Sequence, residues 1–278
     1  MDIWAQTSSV ITKNAAVCSD QPLATSIGID ILKMGGNAAD AAVATMAAVS
    51  FIQPYSSGIG GDCHCLFFRA SDQAVLSING SGRTSGAVNL EDIRKAGITD
   101  PQKREWFNHG YWVSVPGTVA GMCNIVEHFG SKKLTMKQIL EPVITLAVEG
   151  APIPYKAANE WTICQDAFLH SKNASDLLIE NNPPLPGDII RAPKLAKCLQ
   201  AIGDQGAEAF YSGDIAKHIT NEVQKYGGVL NLDDMKNHLT HPPTSVPLDA
   251  ISINFHGFKI WEMKPNTMGL VALVILNV

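Results

Sequence analysis

The chain has 278 residues, of which 46% are apolar and 17% charged. That charged share is below the roughly 25% of ordinary globular chains, so disorder is excluded and much of the sequence belongs to an interior or an interface. Lys and Arg number 21 against 26 Asp and Glu, a net charge of -5 without any basic block. Nucleic acid and anionic membrane are therefore set aside as partners, and a small molecule is expected.

Residues 1–16 carry Asp2, Ser8, Ser9 and Thr12, with no positive start followed by an apolar run, so they do not read as a secretory signal. A cytoplasmic location is expected. The longest uncharged apolar stretch, residues 41–52, is shorter than the roughly 20 residues of a membrane helix, and no membrane segment is read. Six cysteines are too sparse for a disulfide scaffold. Cys63 and Cys65 flank His64, but alternation along a strand sends both sulfurs to one face and the imidazole to the other, so no metal site is expected.

Asp20 as a cap, an early Pro22, the apolar set Leu23, Ile27, Ile31 and Leu32, and a Gly35-Gly36 stop predict a first helix. Asn37 caps a second, Ala-rich helix that ends before Pro54, with Asp40 three residues on reaching back to free amides. A glycine loop, Ser57-Gly58-Ile59-Gly60-Gly61-Asp62, then enters a hairpin of residues 63–68 and 74–78. After Asn79-Gly80-Ser81-Gly82-Arg83 the chain is polar and turn-rich. Pro116-Gly117-Thr118 opens a helix with Val119, Met122, Val126 and Phe129 on one face. Thr135 with Gln138 is a capping box for a helix that stops at Gly150. A proline-bearing stretch leads to helices around 195–202 and 214–225, and Asp233-Asp234 behind Asn231 mark another helix start. Residues 251–255 and 258–263, joined by His256-Gly257, form a hairpin, and residues 270–278 are almost wholly apolar.

The common catalytic signatures are absent. There is no G-x-S-x-G elbow, no H-E-x-x-H pair, no phosphate-binding P-loop and no dinucleotide fingerprint, so no cofactor is expected. One residue stands out. Arg83 is an isolated guanidinium in a Gly-Ser-Gly-Arg turn directly after a strand, where it can grip a carboxylate bidentately; a solvated surface arginine is the alternative.

Several motifs in order carry a resemblance: Pro22-Leu23-Ala24, Gly35-Gly36-Asn37-Ala38 with Asp40 to Ala44, Pro54 with Ser57-Gly58-Ile59-Gly60-Gly61, residues 115–121, Leu140-Glu141-Pro142, Ala209-Phe210-Tyr211 with Gly213, and Gly227-Gly228. With these the chain resembles the large-subunit region of γ-glutamyltransferases, also called glutathione hydrolases. The likeness covers residues 15–278 and leaves 1–14 as an N-terminal extension.

The resemblance implies an α+β fold, the α-β-β-α sandwich of N-terminal-nucleophile hydrolases, here incomplete and limited to the large-subunit part. It implies a γ-glutamyl donor as substrate and, as partner, a small subunit whose first residue is a threonine. That threonine's hydroxyl attacks the γ-glutamyl amide with its own α-amine as base, and water or an acceptor amine takes the acyl group. Arg83 falls at the arginine that grips the donor's α-carboxylate. Typical members have Arg-Glu-Thr-Ala-Pro there, against Arg83-Thr84-Ser85 here. They carry a longer glycine run where Asp62 sits, and Pro-Pro-Ser-Ser-Gly-Gly where Pro265-Asn266-Thr267-Met268-Gly269 stands. These variants resemble the branch of γ-glutamyltransferase-like hydrolases and cephalosporin-acylase-like members.

In the family, the threonine, the oxyanion-hole glycines and the residues holding the donor's amine lie beyond position 278. The chain alone is therefore expected to be inactive, with Arg83 facing a concave space and residues 270–278 poorly covered. A non-catalytic binding fragment and an acylase with a different donor stay open as alternatives.

Overall fold

The computed structural model describes residues 10–98, 109–169, 174–240 and 248–278. Residues 1–9 of the expected N-terminal extension lie outside them. Helices α1 (Pro22–Lys33) and α2 (Ala38–Ile52) lead into a hairpin of β1 (Cys63–Arg69) and β2 (Ala74–Gly80). A short α3 (Leu90–Lys95) precedes α4 (Thr118–Phe129), α5 (Met136–Glu149), β3 (Ala151–Pro152), α6 (Tyr155–Ile163), α7 (Gln165–Leu169) and β4 (Ile189–Ile190). The chain continues with α8 (Pro193–Gln205), α9 (Glu208–Tyr211), α10 (Gly213–Lys225), α11 (Leu232–Thr240), β5 (Leu248–Asp249), β6 (Ile251–Phe255), β7 (Phe258–Glu262) and α12 (Gly269–Leu276).

The second helix is the centre of the core because its side chains are small. Ala39, Ala41, Val43, Ala44, Ala47, Ala48, Phe51 and Ile52 are all buried, and α1, α4 and α5 pack around them. Short side chains let helix axes approach: a Cβ on Gly28 of α1 would meet Thr45 Oγ1 of α2 at 2.3 Å. The capping box read from the sequence holds α2 in place. Asn37 Oδ1 accepts the amides of Ala39 and Asp40, at 3.0 and 3.2 Å, and Asp40 Oδ2 returns to the Asn37 amide at 3.0 Å. The same boundary is stitched to the α4–α5 connection, since Asp40 Oδ2 also takes the Ser131 amide at 3.0 Å.

The expected cap at Asp20 is a correction. Helix α1 begins at Pro22 behind Gln21 with no side-chain cap, and the Asp20 carboxylate instead accepts from Gln53 Nε2 at 2.8 Å. A long-range partner outcompeted the local amides, which Pro22 had already reduced by one. Helices α3, α6 and α7 fall in stretches the sequence left unassigned.

The main sheet is antiparallel in the order β1-β2-β5, with Cys63 opposite Gly80 and Leu76 opposite Asp249. Its inner face receives α4: Phe67 stacks on Phe129 with centroids 4.4 Å apart, and Cys63 is buried beneath the helix. Its other face carries exposed His64, Leu66 and Phe68, so the sulfurs of Cys63 and Cys65 and the imidazole of His64 alternate as expected. The fold is thus α+β, a helical layer on a sheet, with the pairs β3–β4 and β6–β7 beside it.

His256 and Gly257 both take positive φ, 48° and 85°, as a two-residue turn between β6 and β7 requires. Helix α12 rests on that hairpin and is apolar nearly throughout, yet Val274 and Ile275 are 55% and 69% exposed. Among the described residues, no helix is long and apolar enough to cross a membrane.

Candidate functional site

Arg83 follows the end of β2, and backbone rather than side chains fixes its position. The segments 80–83 and 115–117 run so close that a Cβ on Gly82 would meet the Val115 carbonyl oxygen at 1.9 Å, and one on Gly117 the Gly80 oxygen at 2.1 Å. Only glycine permits such an approach. The Val115 amide donates to the Arg83 carbonyl at 2.8 Å. The amides of Gly117 and Thr118, free because they begin α4, both donate to the Gly61 carbonyl at 2.9 Å.

Asp62 closes the arrangement. Its Oδ1 accepts the Gly82 amide at 2.7 Å, tying the glycine loop to the arginine turn. Beyond Arg83, Ser85 Oγ donates to the Val229 carbonyl at 3.2 Å and the Gly86 amide to Asp234 Oδ1 at 2.9 Å. Asp234 has the capping role read from the sequence, with Asn231 Oδ1 accepting its amide at 3.0 Å, and the docking of the arginine segment is its second task. Arg83 itself is exposed, and among the described residues its guanidinium forms no hydrogen bond or ion pair. A held backbone with a free cation suits capture of an anionic group.

Two further residues support this turn. His238, one helical turn beyond Asp234 on α11, is 1% exposed and its Nδ1 has no hydrogen-bond partner among the described residues. Burial, and then the charge of Arg83, lower its pKa from the ordinary 6.5, with Asp62 pulling the other way, so the ring is neutral. Tyr211 lies against it, ring centroids 5.3 Å apart, and donates its hydroxyl to the Pro116 carbonyl at 2.6 Å. Burial keeps that phenol protonated.

A polar cluster flanks the turn. Ser81 Oγ lies 3.1 Å from both His64 Nε2 and Asn266 Nδ2, and Asn79 Nδ2 donates to Asn266 Oδ1 at 2.7 Å. The cluster ties the segment before α12 to the end of β2. His238 and the structural roles of Asn266 and Tyr211 escaped the sequence reading. The four-residue spacing from Asp234 to His238 was the one local signal that could have flagged the histidine.

Among the described residues, a cavity of about 590 Å³ sits between residues 15–18 and α1 and α2, lined by Val17, Leu32, Ala41 and Met46. Arg83 does not line that cavity. The thiols of Cys63 and Cys123 are not poised for chemistry, since burial pushes both up to about 12.

Residues 24–278 match the family model described as gamma-glutamyltranspeptidase. The chain belongs to the gamma-glutamyltranspeptidase family. It is 30% identical over 271 residues to the glutathione hydrolase-like YwrD proenzyme of Bacillus subtilis, covering 97% of this chain and 49% of that protein. In structure it is similar to the gamma-glutamyltranspeptidase of Helicobacter pylori, with a TM-score of 0.84 and 27% identity over 97% of this chain and 76% of the other. The cephalosporin acylase of Bacillus halodurans matches with a TM-score of 0.82 and 29% identity, over 98% of this chain and 51% of the acylase. These likenesses carry the N-terminal-nucleophile hydrolase fold expected from the sequence. As a gamma-glutamyltranspeptidase-family chain, it spans about half the length of the curated relatives it matches.

Proposed function

We propose that this chain supplies the donor-binding part of a γ-glutamyl amide hydrolase or transferase, working with a small subunit that begins with threonine. The observation that supports it is the Arg83 turn. Its backbone is pinned through Val115 and, at the adjacent residue, through Asp62, while its guanidinium is left unpaired among the described residues. In this reading Arg83 takes the donor's α-carboxylate in a bidentate grip, which fixes one end of the glutamyl chain and so places the γ-carbonyl for attack. Arg83 binds and orients. The bond-making group is the threonine hydroxyl of the small subunit, activated by its own α-amine. The acyl-enzyme passes to water or to an acceptor amine.

A second reading, an acylase for another side-chain amide, draws support from the likeness to the Bacillus halodurans cephalosporin acylase.

Hydrolysis of a γ-glutamyl anilide separates the readings. The chain alone is expected to be silent, the chain co-expressed with the threonine-initiated small subunit active, and Arg83→Ala to lower kcat/KM by ~100-fold, the scale of a lost charged contact. Turnover by the chain alone would remove the small subunit from the mechanism. Activity that survives Arg83→Ala unchanged would remove the carboxylate grip. Cleavage of other acyl anilides but not of the γ-glutamyl compound would favour the acylase.

A further inference from the structure

Three hydrogen bonds close a ring at the end of β2. The Ser81 amide donates to Asn79 Oδ1 at 3.0 Å, Asn79 Nδ2 donates to Asn266 Oδ1 at 2.7 Å, and Asn266 Nδ2 donates back to Ser81 Oγ at 3.1 Å. A backbone amide can only donate, so it turns the Asn79 oxygen toward Ser81 and the Asn79 nitrogen toward Asn266, which fixes the Asn266 amide in turn. Two members of the ring belong to the strand end that leads into Arg83. Ser81 is 4% exposed and stands two positions before the arginine. The third member, Asn266, comes from 185 residues beyond Ser81.

Asn266 is held in its own place by the connection between β7 and α12. Thr267 Oγ1 donates to the Met263 carbonyl and accepts the Gly269 amide, both at 3.3 Å, and a Cβ on Gly269 would meet the Met263 oxygen at 2.8 Å. That connection is therefore packed down on the end of β7. The glycine clamp ties the Arg83 turn to the Gly61-Asp62 loop and to the start of α4, and Asn266 ties it to a third element. We infer that Asn266 is a positioning residue for donor binding: acting through Ser81, it sets the strand end from which Arg83 projects, so the grip on the donor carboxylate depends on how the β7–α12 connection is seated. Asn266 has this role only if Arg83 is the carboxylate grip proposed above.

The test uses the chain co-expressed with the threonine-initiated small subunit, with L-glutamate as the probe in isothermal titration calorimetry and a γ-glutamyl anilide for kinetics. Asn266→Ala is expected to weaken L-glutamate binding and raise KM by about fivefold, the scale of one lost neutral hydrogen bond, with kcat held within about twofold. A purely structural asparagine would instead reduce the amount of active enzyme, lowering kcat and leaving Kd and KM in place. Ser81→Ala, which removes a single hydroxyl, should reproduce the effect, and the double variant should be no weaker than either single one because both act along one path. Unchanged Kd and KM in Asn266→Ala or in Ser81→Ala, or effects that add in the double variant, overturn the inference; if Arg83→Ala still weakens the probe, the carboxylate grip stands. If wild type does not bind L-glutamate, or Arg83→Ala binds it as well as wild type, the grip and the inference fall together.

Discussion

The hydroxyl of Tyr211 accepts the amide of Ala120 at 3.1 Å, capping helix α4 from an element 91 residues away. Gly117 offers α4 no side-chain cap, so the tyrosine takes that place, and its proton goes to the Pro116 carbonyl at 2.6 Å. Tyr211→Phe removes both bonds without changing the ring. The expected loss is about 2 kcal/mol of unfolding free energy, since a buried amide is left without a partner. Urea denaturation followed by circular dichroism measures it, and a loss below ~0.5 kcal/mol would mean that water replaces the hydroxyl.

Acid should weaken the fold through His238. Its folded pKa lies below the unfolded value near 6.5, so its neutral form contributes fully above pH 6.5. Below that, the unfolded chain takes up the proton first. Stability then falls by up to about 1.4 kcal/mol per pH unit until the depressed folded value is reached. His238→Phe keeps a ring against Tyr211 and removes the titration. Unfolding free energies between pH 7.5 and 5 should therefore fall less steeply in the variant, and parallel curves would count against the assignment.

Asp40→Ala tests the boundary of α2. It strands the amides of Asn37 and Ser131, both now held at 3.0 Å by one oxygen, in a place where Asp40 is 0% exposed. A cost of about 2–3 kcal/mol is expected. Asn37→Ala should cost a similar amount, because it removes the cap and the bond from Asn37 Nδ2 to the Phe129 carbonyl. The double variant should lose less than the sum if the two act as one unit, which a double-mutant cycle reads directly.

Gly82→Ala leaves the Arg83 guanidinium chemically intact but forces its Cβ onto the Val115 oxygen, 1.9 Å away. The turn must shift by more than an ångström. If Arg83 grips the donor carboxylate as proposed, binding of L-glutamate should drop by about tenfold or more, in line with the sensitivity of positioned groups to such displacements. Binding equal to wild type would show that the guanidinium reaches its ligand regardless of the turn.

Helix α12 should make the isolated chain sticky. Val271, Val274 and Ile275 are 44%, 55% and 69% exposed on one short helix. Substituting Val274 and Ile275 together by Lys is expected to lower self-association in analytical ultracentrifugation, with no loss of thermal stability. Unchanged sedimentation would place the contact elsewhere.

Local chemistry was what the sequence made legible. The capping boxes at Asn37 and Thr135, the hairpins at 63–80 and 251–262 and the glycine stop of α5 all depend on residues within a few positions of one another, and they are where their residues placed them. Partners distant in sequence could not be read in this way. Asp20 turned from a cap into a partner for Gln53, and the two-residue strand β5 exists only because β2 offers it an edge. Arg83 was legible as an isolated cation after a strand; the clamp that holds it was not, because Gly61, Gly82, Val115 and Asp234 meet only in the folded chain.

Glycines 80, 82, 117 and 121 bring main chain against main chain and against the Cys63 sulfur, which a Cβ on Gly121 would meet at 2.2 Å. The platform beneath Arg83 therefore owes its shape to the absence of side chains. Arg83 and His64, both exposed, stand on that contour without shaping it, whereas Asp62 and Asn266 help to hold it through their side chains. A change at an exposed position such as 64 or 83 therefore leaves the backbone contour beneath it untouched, whereas a methyl group at any of the four glycines does not.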